Sequence, residues 1–201
     1  EPVHPVPARV AALRIVILPP FLDHPLYRDP MNEDRILGSL LGLAVGDALG
    51  TTVEFQARDS FPPVTDMVGG GVFNLAPGQW TDDTSMALCI AASLIETGAY
   101  DPRDQLARFV RWYRDGYLSS TGRCFDIGNQ TLTALEEFAV TGEPYRKTAG
   151  AMSAGNGSLM RLAPVAMAFC DDPEAAAQFC ADSSRTTHPA VECVEACGAY
   201  G

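Results

Sequence analysis

The sequence predicts a mostly α-helical domain, and three observations carry that expectation. Apolar residues recur at three- and four-residue intervals from Asp34 onward, prolines stand where those patterns begin, and no comparable series of alternating strands is present. The first pattern, Leu37, Leu40, Leu41, Ala44, Val45 and Ala48, is one apolar stripe. Gly38, Gly42, Gly46 and Gly50 recur with it at every fourth residue. Asp47 interrupts the uncharged stretch, which reads as too short to cross a bilayer and so as a buried helix whose glycines admit close neighbours. Four glycines each cost roughly 1 kcal/mol of helix propensity against alanine, so a packing reason is expected.

A loop with Glu54 and a Gly69-Gly70-Gly71 turn follows. Further helices are marked by Met86, Cys89, Ile90, Ser93 and Leu94, then by Leu106, Phe109, Val110 and Tyr113, then by Leu132, Leu135 and Ala139. Another spans Leu159, Leu162, Ala163, Ala166 and Met167, and the last two carry Ala176, Phe179 and Cys180, and Val191, Val194 and Cys197. Pro102, Pro173 and Pro189 suit helix starts, where a missing N–H costs nothing.

Residues 1–30 differ in kind. They hold seven of the fifteen prolines, too closely scattered for a regular element. They read either as sequence upstream of a natural start at Met31 or as an arm lying on the domain or a partner. Residues 31–201 form the helical domain. The chain of 201 residues is 47% hydrophobic and 19% charged, close to globular averages. With 14 basic and 25 acidic side chains its net charge is −11. Such a surface repels phosphate backbones and anionic lipids, so neither nucleic acid nor a membrane is an expected partner. An anionic ligand would need local compensation from a cation, helix N-termini or a placed arginine. The six cysteines include no C-x-x-C pair and sit mostly among apolar neighbours, as in a reduced, cytoplasmic protein. No signal peptide is read: Pro19-Pro20 ends the short run Ile15–Leu18 without a small-residue cleavage site.

Three segments can carry chemistry. Gly78-Gln79-Trp80-Thr81-Asp82-Asp83-Thr84 leads into a helix. Its oxygen side chains are either caps and dipole partners or ligands for a hard cation such as Mg²⁺. Ser153-Ala154-Gly155-Asn156-Gly157-Ser158 is either a plain loop and cap or a phosphate cradle, with Arg161 one turn away. Phe125-Asp126-Ile127-Gly128-Asn129 sets an acid between apolar neighbours, either a cap or a carboxyl with a raised pKa suited to proton transfer. His188 precedes Pro189 and is read as leading into a helix, with a ring that can also stack on a base.

Taken in order, Leu43-Ala44-Val45-Gly46-Asp47-Ala48-Leu49-Gly50, Val53-Glu54-Phe55, the Gly78–Thr84 run, Phe125–Asn129, Ala154–Gly157 with Met160-Arg161, and Thr187-His188-Pro189 resemble the ADP-ribosylglycohydrolase family. The resemblance covers about Asp34 to Gly201 and is nearest to the dinitrogenase-reductase-activating glycohydrolase branch. It implies a compact, orthogonal all-α bundle with two Mg²⁺ ions, hydrolysing the N-glycosidic bond between ADP-ribose and a modified side chain, arginine above all. It implies metal ligation by Thr81, Asp82 and Asp83, and catalytic acids at Glu54 and Asp126. It also implies substrate binding by Ser153, Gly155, Asn156 and Gly157, with His188 toward the adenosine. The family's later Asp-x-Asp-[Thr/Ser] segment is missing, and no Asp-x-Asp triplet occurs in the chain. The expectation is therefore a domain truncated at its C-terminal end, with half of the carboxylate ligands elsewhere. The expected partner is an ADP-ribosylated protein or ADP-ribose. The competing expectation is an ADP-ribose-binding or immunity protein of the same fold, covering a toxin with residues 1–30.

Overall fold

The computed structural model describes residues 4–5, 30–147 and 153–201. The proline-rich segment therefore lies almost wholly outside the described residues. His4–Pro5 (β1) pairs antiparallel with Ala99–Tyr100 (β2), His4 opposite Tyr100, and Pro30 opens the first helix. The rest is helical, as expected: α1 (Pro30–Gly50), α2 (Asp82–Thr97), α3 (Pro102–Asp115), α4 (Asn129–Thr141), α5 (Ala163–Ala168), α6 (Pro173–Arg185) and α7 (Val191–Tyr200). Single 3-10 turns lie at Thr51–Val53 and Asn156–Ser158.

The central element is α2. Met86, Ala87, Cys89, Ile90, Ala91 and Leu94 are all completely buried, because α1, α3 and α5 pack against it from different sides. A helix buried along most of its length reads as largely apolar, and its acids are confined to Asp82 and Asp83 in the first turn and Glu96 in the last. Gly98 ends it in the left-handed conformation at φ 68°. The N-cap of α3 is Asp101, whose carboxylate accepts from the Arg103 and Asp104 amides, with Pro102 at the first helical position. Phe109 and Trp112 of α3 complete the core. Arg108 reaches from α3 to Glu96 at 2.9 Å and Asp104 at 2.6 Å, tying α3 to the end of α2. Asp172 and Pro173 start α6 in the same way as Asp101 and Pro102 start α3, and α6 and α7 pack on each other.

The structure corrects the sequence reading in four places. The helix expected over Leu159–Met167 is a 3-10 turn followed by the short α5, since Pro164 has no N–H to donate and must sit in a first turn. In α4 the inner face is Thr131, Ala134 and Leu135, while Ala139 is exposed. In α7 it is Cys193 and Cys197, while Val191 is exposed.

The largest correction concerns α1. Leu40 and Ala48 face the core, but Leu37, Leu41 and Val45 are exposed. Among the described residues nothing lies within 4 Å of where a Cβ would stand on Gly38, Gly42, Gly46 or Gly50. The glycines thus meet no close neighbour here. Residues Asp34–Val53 are, at 20 residues and mean hydropathy 1.6, long and apolar enough to cross a membrane, and 17% of the window is buried. The expectation of too short a stretch fails because Asp47 alone does not lower its hydropathy enough.

Ile90→Ala empties the centre of this packing. It should lower stability by about 3 kcal/mol, read as a shifted midpoint in denaturant unfolding of the full-length protein.

Candidate active site

The site is built around the mouth of α2, and its organiser is Asp47 on α1. Its Oδ1 accepts from the Thr81 amide at 3.0 Å and the Thr81 hydroxyl at 2.8 Å. Its Oδ2 accepts from the Thr84 amide at 3.1 Å, the Thr84 hydroxyl at 2.6 Å and again the Thr81 amide. The N-cap residue Thr81 makes no side-chain cap of its own. A carboxylate on another helix therefore performs the capping that the sequence alone assigns as one option to Thr81, Asp82 and Asp83. It fixes Thr81 Oγ1 with its proton turned to Asp47, so the hydroxyl's remaining lone pairs are turned away from that bond.

The acids around this mouth repel one another. Asp82, 8% exposed, has its pKa pushed up to about 8 by burial, then by the charges of Asp126 and Asp83. Asp83 is pushed up to about 6 by burial, Asp47 and Glu54. Asp126 is pushed up to about 7 by burial, by the charge of Glu54 and by a hydrogen bond between the two carboxyl groups. Two carboxyls can share such a bond only if one holds a proton. Asp126 is not a cap: the N-cap of α4 is Gly128, and Asp126 sits in the left-handed region at φ 60°. Phe55, next to Glu54, does the same at φ 61°. For a bulky side chain that is a strained backbone.

Hydrogen bonds tie the loop that precedes Asp126 to the segment leading into α2. Trp80 Nε1 donates to the Leu118 carbonyl at 3.4 Å, Ser120 Oγ to the Trp80 carbonyl at 2.6 Å, and Gln79 Nε2 to the Ser120 carbonyl at 3.2 Å. Gly71 is required nearby: its φ is +67°, and a Cβ there would stand 2.4 Å from the Thr51 carbonyl oxygen.

The second expected group is the glycine loop. Gly155 and Asn156 are exposed, and Gly157 and Ser158 continue the 3-10 turn. Ser153 is 3% exposed, and among the described residues its Oγ has no hydrogen-bond partner. His188 supports the loop from below: it is 3% exposed, and a Cβ on Gly157 would come within 2.7 Å of its ring. This corrects the expectation of a ring open to stacking on a base. Nδ1 of His188 lies 2.8 Å from the Thr187 hydroxyl. Burial, Arg161 and Arg146 push its pKa down to about 4, so the ring is neutral near pH 7.

Arg161 is also displaced from its expected place beside a phosphate. It is completely buried, donates to the Gly157 carbonyl at 3.1 Å and to the Thr186 and Thr187 hydroxyls at 3.1 and 2.8 Å, and lies over the Phe109 ring. No carboxylate pairs with it among the described residues. Burial pushes its pKa down to about 10, and the charge of Asp82 acts in the opposite sense. It is a fixed positive charge between the glycine loop and the acidic mouth.

The oxygen donors at the mouth have the right chemistry for a hard divalent cation, and their mutual repulsion is what such a cation would relieve. Among the described residues, however, no three His, Cys, Asp or Glu side chains converge closely enough to hold a metal ion.

An all-α domain with a carboxylate-lined helix mouth beside a glycine loop is the class of protein that the fold and site define. The chain belongs to the ADP-ribosylglycohydrolase family, whose model matches residues 28–201. It is 49% identical over 164 residues to the ADP-ribosylarginine hydrolase Tri1 of Pseudomonas putida (strain GB-1), covering 82% of this chain and 44% of that protein. It is 44% identical over 185 residues to the Tri1 of Serratia proteamaculans (strain 568), covering 91% and 50%. To the ADP-ribosyl-[dinitrogen reductase] glycohydrolase of Rhodospirillum rubrum it is 36% identical over 166 residues, covering 79% and 53%. A solved structure described as an ADP-ribosylglycohydrolase-related protein complex superposes with a TM-score of 0.71 at 48% identity, covering 83% of this chain and 53% of that one. The chain spans about half the length of these relatives.

In the sequence Asp47 stands within the first motif of the family resemblance and has no assigned role. The available signal is a lone acid within the otherwise uncharged run from Ile36 to Gly50. Asp47→Ala should remove the α2 cap and cost about 1 kcal/mol or more in thermal unfolding.

Asp82, Asp83 and Asp126 all bind protons more readily when folded than at their ordinary 3.8. The stability tied to that proton binding is complete below about pH 4 and is lost as pH climbs through about 6, 7 and 8. In metal-free buffer the unfolding midpoint should fall across that window, and Asp82→Asn should flatten its upper end.

Proposed function

We propose that the protein of which this chain is part hydrolyses the N-glycosidic bond between ADP-ribose and a modified arginine side chain, releasing ADP-ribose. The single observation that carries the reading is the crowding of Asp126, Glu54 and Asp83 beside the Asp47-capped mouth of α2. A guanidine is a poor leaving group unless it departs protonated. An acid raised to about 7 still holds its proton in a useful fraction at neutral pH. In this reading Asp126 delivers the proton to the departing nitrogen. Glu54, on the facing loop, accepts the hydrogen bond that Asp126 gives in its protonated state and orients that carboxyl. The resulting carboxylate is then placed to take a proton from water attacking the ribose carbon.

Thr81, Asp82 and Asp83 would hold Mg²⁺, with the remaining ligands outside this chain. When bound, the ion would supply positive charge to fix ribose hydroxyls and offset carboxylate repulsion. Gly155, Asn156 and Gly157 would carry the diphosphate, footed on neutral His188 and on the buried cation of Arg161. The names of the Tri1 relatives favour arginine as the linkage.

The test is ADP-ribose release from an ADP-ribosyl-arginine peptide by the full-length protein. Asp126→Asn should lower kcat by roughly 100-fold or more while leaving ADP-ribose binding in place. In the parent protein kcat should decline as pH rises through the Asp126 ionisation. Calorimetry should register Mg²⁺ uptake that Asp82→Ala abolishes. Full activity of Asp126→Asn would remove the acid from the mechanism.

A further inference from the structure

Among the described residues a row of aromatic rings borders the acid pair, and the reading above leaves it without a task. Phe55 follows Glu54 directly and is 78% exposed. Its ring centroid lies 6.5 Å from that of Phe73 at an interplanar angle of 69°, and Phe73 lies 5.2 Å from Phe125 at 61°. Phe125 directly precedes Asp126. The segments that carry Glu54 and Asp126 are therefore linked through the ring of Phe73. An exposed phenylalanine loses apolar burial by standing in water, and here it does so one residue from a carboxylate.

We propose that Phe55 is the platform for the guanidinium of the substrate arginine, and so the residue that sets the protein's preference for that linkage. Charge argues for this occupant. Asp47, Glu54, Asp83 and Asp126 act on one another as like charges, in a chain of net charge −11, so a cation is drawn to this rim. Shape argues for it as well: a guanidinium is planar, weakly hydrated and stacks on aromatic faces, while its N–H groups reach carboxylates. A hydroxyl-linked ADP-ribose, as on serine, brings neither a plane nor a charge to the ring. The assignment rests on the glycohydrolase reading and names the part of the substrate that the rim receives.

The experiment compares the full-length protein with Phe55→Ala and Phe55→Tyr on arginine-linked and serine-linked ADP-ribosyl peptides. Phe55→Ala should raise KM for the arginine-linked peptide about tenfold, a loss of about 1.4 kcal/mol. It should leave kcat within about twofold and the Kd for free ADP-ribose unchanged, and Phe55→Tyr should restore KM. An unchanged KM in Phe55→Ala, or an equal loss of ADP-ribose affinity, overturns the assignment. Should the parent protein cleave neither peptide, the glycohydrolase reading fails. Calorimetric binding of the intact arginine-linked peptide then still decides the role of Phe55, and equal Kd values for parent and Phe55→Ala overturn it.

Discussion

The carboxylate of Asp47 is the constraint on which the rest of the site depends. A helix N-terminus presents unsatisfied amides and a partial positive charge, and an acid is the natural group to meet both. Here the acid comes from another helix rather than from the capping position. That choice frees Thr81, Asp82 and Asp83 from satisfying their own backbone and locks α1 to α2 through five hydrogen bonds. It also places one more negative charge beside acids that already repel each other. The mouth is thus ordered by hydrogen bonds and loaded by electrostatics at once, and a bound cation or shared protons would relieve that load.

The opposite charge is handled differently. Arg161 is buried without a carboxylate partner among the described residues, and its positive charge is met by carbonyls, hydroxyls and an aromatic face. Such a cation is costly to bury, and its partners belong to the glycine loop and the Thr186–His188 turn. Removing it would leave those acceptors empty and the loop without its footing. In a chain of net charge −11, this is a positive charge that is not exposed.

Much of this architecture was legible in the sequence. The helices announced themselves through apolar spacing and through prolines at Pro102 and Pro173, since these are local rules of backbone and burial. Where the reading failed, the decision belonged to tertiary contact. Leu37, Leu41 and Val45 share the helical spacing of Leu40 and Ala48, and only the position of α2 shows which of them face inward. Asp82 and Asp83 could be singled out because oxygen side chains crowd there, and Asp126 because it stands between apolar neighbours, but spacing could not separate capping from chemistry. That needed Asp47, which lies 34 residues before Thr81 in sequence. The burial of His188 and Arg161 was likewise invisible, because a polar residue near a glycine loop reads as a ligand contact until the loop is seen to lie over it. The left-handed backbones of Phe55 and Asp126 carry no glycine or asparagine to mark them.

The two sides of α1 also behave as a single mechanical part. One side holds the cap of α2, and the other presents Leu37, Leu41, Val45 and a line of glycines that, among the described residues, have no neighbour within van der Waals reach of their missing side chains. An α-helix advances about 1.5 Å per residue, so a slip of one residue would carry Asp47 out of range of every donor it serves. Whatever leans on the outer ridge of α1 therefore has leverage over the acids at Thr81 to Asp83 without touching them.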